Sequence, residues 1–600
     1  MTQDDSYDLI IRGGLLVDGS GMPRRRVDLG IRDGKVAAIA HLDGAQAEEE
    51  IDASGMIVAP GIVDPHTHYD PQITFDPYAT MSCFHGVTTV VAGNCGFSVA
   101  PVRKGDLEFL TDIFASVEDM DPIALSGVKW DSFSTFPEYL DSLQGNLGVN
   151  FGCYVGHSNV RRWVMGDGCY DREATDDEIA QMQQMVIEAV EAGAAGLSSS
   201  AAPTHLDIKG RPVPSRAASR QELLALAKVA GRARAGSICY LPQGAIGGLT
   251  PDDEELLLEL GRVAGVPIVI QGIGGRSKVD APTATWESSK KFLDDATAQG
   301  IPIYSLLITR PFDRTVRIGA DNMHYKGAFA FHEMLNLSDD ERRAALADPT
   351  WRERLRNSVE AYNRDPSKGT TLPPPQWPNV YVIQVAHERN RWMEGMTIAQ
   401  LGDKQGKAPA DAILDLALEE DFATNFRWRT ETPEWSEAVG IAQKHPNMIV
   451  GVSDGGAHLH KDDGADWSSY FLRSWVLDRQ CWTLEEGIRQ ITQVPAALLG
   501  FSDRGTLKIG GWADIMIFDP ETIGPWRKEF VHDLPGGIGR WKAFGRGMKA
   551  TIVNGVPIVR NGQLTQALPG HVVAPGAARR AGVLALGHVR LSRSPVFEGK

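Results

Sequence analysis

A (β/α)8 barrel, an α/β fold, flanked by a small β-sandwich built from both chain ends, is the architecture this sequence predicts. Between residues 61 and 495, short apolar runs alternate with helical stretches, the order of a parallel sheet wrapped by helices. Counting those runs from "GIVDPH" gives eight, the number that closes a barrel. At both ends the alternation gives way to short strands broken by Gly and Asp-Gly turns, as in hairpins.

The N-terminal strands are "YDLIIRGGLLVDG", "VDLGIRDGKVAAIA" and "EIDASGMIVAP", assigning residues 1–60 to one part of the sandwich. The same texture returns in "RGTLKIGGWADIMIFDP" and "MKATIVNGVPIVRNG", assigning 496–565 to the other part; the Asn-Gly pair is a strong hairpin signal. In the barrel, "TTVVAGN" and "VNFGCYVGHS" follow "GIVDPH". The helix "ATDDEIAQMQQMVIEAVEAG" opens with a capping box, Thr175 with Glu178, and stops at Gly193. After "AAGLSSS", a second capping box, Ser219 with Glu222, predicts the next helix. "SICYLP" leads to a helix with Pro251 in its first turn, then come "VPIVIQG", "IPIYSLLI" and finally "NMIVGVSDGG". Residues 309–378 break this rhythm with a helical stretch and the Pro-rich "TLPPPQWP"; an insertion after a barrel strand lies over the active-site face, so a lid is expected there. The tail, 566–600, is rich in Gly, Ala and Pro and basic, and reads as an extension.

The composition excludes several classes. The chain has 600 residues, 42% hydrophobic and 23% charged, ordinary for a soluble protein with a large core. A formal net charge of −17 argues against nucleic acid, whose phosphates need a basic surface. No apolar run is long enough to span a membrane, and the N-terminus lacks the pattern of a signal peptide. Six scattered cysteines without paired spacing fit reduced thiols in the cytoplasm. Self-association into a homo-oligomer is left open.

Chemistry in a barrel gathers at the C-terminal ends of the strands. Strand one ends in "HTH": alternate residues face one way, so His66 and His68 project together. Strand two ends in "GNCGF", placing Cys95 between glycines; strand three ends at His157; strand eight ends in "SDGG", placing Asp454. Singly, a buried cysteine is packing and an aspartate beside two glycines is a turn residue. Together, imidazole, thiolate and carboxylate donors at strand ends are what zinc takes.

"APGIVDPHTHYD" resembles the first-strand signature of the amidohydrolase superfamily, and "GVTTVVAGNCGFSVAP" is similar to the second-strand motif of its D-aminoacylase (N-acyl-D-amino-acid deacylase) branch. "YVGHSNVRRWVMG", "AGAAGLSSS", "VGVSDGG" and "TIVNGVPIVRNG" continue the match, to about residue 565. The resemblance implies a metal-dependent hydrolase of a C–N amide bond. His66, His68, Cys95 and Asp454 would hold the metal; Asp454 would also move protons, and His157 would hydrogen-bond the substrate or orient a ligand. The sequence departs from that branch in two places. Strands five and six end "CYLPQG" and "VIQGIGG", with Pro242 or Gln243 and Gly272 where the branch has zinc-binding histidines. One divalent ion, zinc, is therefore expected rather than two, unless His157 or His205 has moved in. The basic residues that grip the substrate carboxylate are also replaced, leaving Arg276, Lys278 and Arg310 as candidates. The expected substrate is an N-acyl-D-amino acid or related small-molecule amide. One alternative is another amide, carbamate or cyclic amide with a bulky aromatic group, for which the Trp-rich stretch 425–435 would offer a pocket. The other is a metal-poor binding protein.

Overall fold

Eight strands in sequence order form one parallel sheet in the computed structural model, which describes residues 6–245, 248–271, 275, 285–311, 313–319, 329–360 and 376–576. They are β1 (Ile62–Asp64), β2 (Val87–Ala92), β3 (Asn150–Gly156), β4 (Gly196–Ser200), β5 (Ser237–Leu241), β6 (Ile268–Gln271), β7 (Ile303–Leu307) and β8 (Met448–Val450). Beyond their ends the two edge strands rejoin: Thr67 and Gly455 form a parallel bridge, and the His68 amide donates to the Gly455 carbonyl at 2.7 Å. This seam closes the TIM-type barrel, and both candidate histidines and Asp454 flank it.

Strand alternation divides the side chains between lumen and helix layer. Val63, Val91, Tyr154 and Cys239 meet inside, where Leu499 and Phe501 pack on them from below. Val269, Leu306 and Ile449 continue this lining. The outer faces are covered by helices such as Asp176–Ala192, Arg220–Arg232, Pro251–Ala264 and Trp286–Ala298. Among the described residues no helix is long and apolar enough to cross a membrane.

The helix starts follow local chemistry. Thr175 and Glu178 form the reciprocal capping box, and Thr250 and Asp253 form another behind Pro251. Ser219 differs: its hydroxyl accepts the Glu222 amide, but the Glu222 carboxylate turns away to His157 and Arg161 instead of returning to the cap. A buried cation takes that carboxylate in preference to a backbone amide.

Both termini build the β-sandwich. A four-stranded sheet runs Lys35–Ala40, Asp28–Arg32, Ser6–Arg12, Gln46–Asp52. A seven-stranded sheet joins Ile57–Pro60 antiparallel to Ile515–Phe518, so the two chain ends share hydrogen bonds. Leu9, Ile11, Ile31, Val58, Ile515 and Ile552 fill the space between them. A long hairpin, Gly524–Leu534 with Ile538–Arg546, leaves this sandwich and lies on the loop after β8. There the Trp541 amide donates to the Leu459 carbonyl at 2.7 Å and the Ala543 amide to the Asp463 carboxylate at 2.9 Å.

The insertion after β7 is larger than residues 309–378. Its three-stranded antiparallel sheet combines Arg314–Val316, Asn425–Trp428 and Val380–Gln384, and its own core includes Ile318, Phe331, Leu355, Ile413 and Phe426. Two of the strands lie beyond 378 because the Pro-rich stretch falls inside this unit and does not mark its exit. Residues 361–375, which hold the first part of that stretch, and residues 577–600 lie outside the described residues. Trp428 is buried in the same core and Trp435 packs on Trp475, so neither tryptophan of the 425–435 stretch lines an open aromatic pocket.

Candidate metal centre

The loop after β1 is tied so that alternation does its work. Thr67 turns toward the sheet, where its amide and hydroxyl reach the Val91 carbonyl at 3.0 and 2.9 Å. His66 and His68 therefore face the other way, with ring centroids 5.3 Å apart. Asp64 fastens the base of this loop: it accepts the His66 amide at 3.3 Å and the Trp467 indole N–H at 2.8 Å. Burial pushes its carboxyl up to about 7.

Cys95 arrives on a strained turn. Its φ of +59° lies in the left-handed region that side chains with a Cβ disfavour. Gly96 follows at φ +86°, and a Cβ there would stand 2.9 Å from the Ser200 amide nitrogen on β4. The Asn94 side chain donates to the carbonyls of Thr67 and Val91, at 3.1 and 2.9 Å, locking the cysteine turn to the histidine loop. His205 stands on the other side, bonded to Ser200 Oγ at 2.9 Å. Asp454 stands beside the histidines, also left-handed at φ +50°, with the preceding Ser453 Oγ accepting the Gly455 amide at 2.8 Å.

The donor atoms meet. His66 Nε2, His68 Nε2 and Cys95 Sγ form a buried group whose atoms all lie within 4.8 Å of one another. The sulfur is 3.8 Å from His66 Nε2 and 3.9 Å from His68 Nε2. Asp454 Oδ1 is 3.4 Å from His66 Nε2 and 4.0 Å from His68 Nε2. Donors bonded tetrahedrally to one zinc stand roughly 3.3–3.6 Å apart, given Zn–N near 2.1 Å and Zn–S near 2.3 Å. The sulfur–imidazole spacings are within a few tenths of an ångström of that, so His66, His68 and Cys95 fit a zinc-sized ion, with Asp454 beside them on the His66 side.

The electrostatics fit as well. Burial depresses both imidazoles, His68 further because His66, His458 and His205 surround it, leaving neutral rings that offer lone pairs. Burial raises the Cys95 thiol, and Glu118, Cys239, Asp454 and Asp70 raise it further. A bound divalent cation reverses that last effect, because a coordinating thiol is deprotonated outright.

The sequence matches the family described as Amidohydrolase family over residues 49–559. The chain belongs to the amidohydrolase family. Among curated proteins, D-aminoacylase of Alcaligenes xylosoxydans xylosoxydans is 27% identical, with 96% of this chain and 100% of that protein covered. The N-acyl-D-aspartate deacylase of the same organism is 29% identical over 96% of this chain and 97% of that one. Among solved structures, an N-acyl-D-glutamate deacylase from Bordetella bronchiseptica, complexed with zinc and a phosphonate inhibitor, superposes with a TM-score of 0.62. The identity is 25%, covering 95% of this chain and 99% of that one. These similarities set the protein beside the D-aminoacylase branch, among hydrolases of non-peptide C–N bonds.

Other side chains of this amidohydrolase lie elsewhere than the strand-end rule placed them. His157 does not join the group. It opens the helix His157–Met165, and its ring bonds Ser199 Oγ at 2.9 Å and Glu222 Oε1 at 2.8 Å. Ser198 pairs in register with the lumen residue Cys239, so Ser199 faces the helix layer and draws His157 outward. Both ring nitrogens are engaged there, leaving none for a metal or a substrate. Arg310 is buried and committed to acids: Nη2 reaches Asp462 at 2.7 Å and the Asp463 carbonyl at 3.2 Å, and Nε pairs with Asp466. It therefore presents no free guanidinium to a substrate carboxylate. Arg276, Lys278 and Gly272 lie outside the described residues.

At β5 and β6 the side chains differ from the two-histidine pattern. Gln243 is exposed, in a short turn beyond β5. From β6 it is Gln271 that faces the group, with Oε1 4.0 Å from Cys95 Sγ. The sequence reading also passed over Glu118. It caps the C-terminal end of the helix Leu107–Val117, is 3% exposed, and stands 3.4 Å from His68 Nδ1. Nothing in "FASVEDMDP" distinguishes it from a surface acid; only its burial does.

Proposed function

We propose that this amidohydrolase hydrolyses the amide of an N-acyl-D-amino acid or a closely related small amide, using one zinc ion at His66, His68, Cys95 and Asp454. The observation that carries this reading is the buried cluster of His66, His68 and Cys95 donor atoms at the barrel seam, with the Asp454 carboxylate 3.4 Å from His66 Nε2. A bound zinc supplies Lewis acidity toward the carbonyl and lowers the pKa of water toward neutrality. The protein's own part is to hold and move protons. His66 and His68, kept neutral by burial, present Nε2 toward the ion site. The Asp454 carboxylate, 3.4 Å from His66 Nε2, is placed to take a proton from the attacking water and return it to the leaving amine. Gln271 occupies the side on which the relatives' second metal would be expected and offers a neutral amide, which favours a single ion. The six cysteines are unpaired, five of them buried, which supports a reducing compartment such as the cytoplasm.

Asp454→Asn tests the proton role. The variant is expected to keep the fold and most of the metal and to lose about 10²- to 10⁴-fold in turnover on N-acyl-D-amino acids. Turnover near wild type would exclude Asp454 as the acid–base group. A panel setting N-acyl-D-amino acids against carbamates and cyclic amides measures the substrate class directly.

A further inference from the structure

We propose that Glu118 is the positioning residue that aims His68 at the metal, and that the loop carrying Asp454 holds Glu118 in place through His458. The proposal rests on the metal reading above and adds a residue outside the ligand set.

Glu118 stands where a carboxylate is disfavoured twice over. It is buried, which penalises charge. It also closes the C-terminal end of a helix, where the dipole favours cations. Among the described residues its ion-pair partners are two imidazoles, with no lysine or arginine among them. Oε1 lies 3.4 Å from His68 Nδ1, the nitrogen opposite the one that faces Cys95 and Asp454. Oε2 lies 3.7 Å from His458 Nε2. A carboxylate on Nδ1 fixes the tautomer with the proton there and the lone pair on Nε2, and it raises ligand basicity.

The two histidine ligands are unequal in this respect: His66 Nδ1 is buried with no hydrogen-bond partner, so only packing orients that ring. Glu118 is anchored in turn. Its carbonyl accepts the His458 amide at 2.7 Å, and His458 Nδ1 bonds Asp119 at 2.6 Å. Lys461 Nζ closes the ring on both oxygens of Asp119 at 2.8 Å. His458 and Lys461 follow Asp454 on one loop, so the segment that supplies Asp454 also steadies His68 through Glu118.

Glu118→Gln keeps the shape and an acceptor oxygen but replaces the carboxyl group with an amide. Zinc affinity of the full-length protein, measured by competition with a chromophoric chelator, is expected to fall about 10- to 100-fold, the range for such orienting partners. The d–d absorption of the cobalt-substituted protein should shift with it. A role confined to folding would lower the melting temperature and leave the affinity of the folded protein unchanged. Affinity within about threefold of wild type, as for a residue with no such role, overturns the proposal while leaving the metal site intact. Absence of zinc binding in the wild type overturns both. If Glu118→Gln does not fold, Glu118→Asp draws the carboxylate back by one methylene and should weaken zinc about five- to tenfold, toward the low end of the same range. Wild-type affinity in that variant contradicts the proposal equally.

Discussion

Glu222 shows how much one buried side chain decides at a distance from the site. Its carboxylate joins His157 Nε2 and the guanidinium of Arg161, and all three side chains are inaccessible to water. Removing one member of a buried charged network leaves the others uncompensated, at about 3–5 kcal/mol. Glu222→Ala should therefore lower stability by that order in a denaturation experiment and leave the metal content per folded chain unchanged. Loss of metal in a folded Glu222→Ala protein would place His157 at the centre after all. The sequence picked out His66, His68, Cys95 and Asp454; the donor atoms of the first three lie together and Asp454 stands beside His66, because each follows a barrel strand by a short, backbone-tied turn. His157 follows a strand too, but helix starts immediately after Gly156 and turns its ring to the outer layer. Glu118 was not legible, since it comes from a helix end with no motif and gains its meaning from burial alone.

At the scale of elements, strands and helices of the barrel were readable because apolar period and capping chemistry agreed. The hairpin Gly524–Leu534/Ile538–Arg546 was not, because its faces are only partly buried and its pattern carries no apolar run. Charge anchors it. Burial works to raise the Asp533 carboxyl, and hydrogen bonds from Arg540 and Lys542 overcome that and hold it near about 2. Because the folded value lies below the ordinary 3.8, the contribution is complete above about pH 4 and fades as the pH falls toward 2. With the side chain one-third exposed, it is worth at most about 1 kcal/mol. Asp533→Asn should be less stable than wild type at pH 6, and the difference should narrow by about half at pH 3. A difference that is the same at both pH values would contradict the anchoring. The inserted unit was legible as an interruption but not in extent, since its sheet pairs strands over 100 residues apart, Arg314–Val316 with Asn425–Trp428.

Across the whole molecule, the seam of the barrel and the candidate metal centre coincide. The strands before and after the seam bring the two histidines and Asp454, the next strand brings Cys95, and the Thr67–Gly455 bridge fixes their spacing. A metal there joins the first and last strands of the sheet, so binding should stabilise the native state by mass action. The most direct test is elemental analysis of the purified protein, prepared without chelator, beside a His66→Ala/His68→Ala variant. We expect about one zinc per chain in the wild type, as a single His66, His68 and Cys95 donor group would hold, and none in the variant. Equal metal in both proteins, or none in either, would contradict a metal centre built on these histidines.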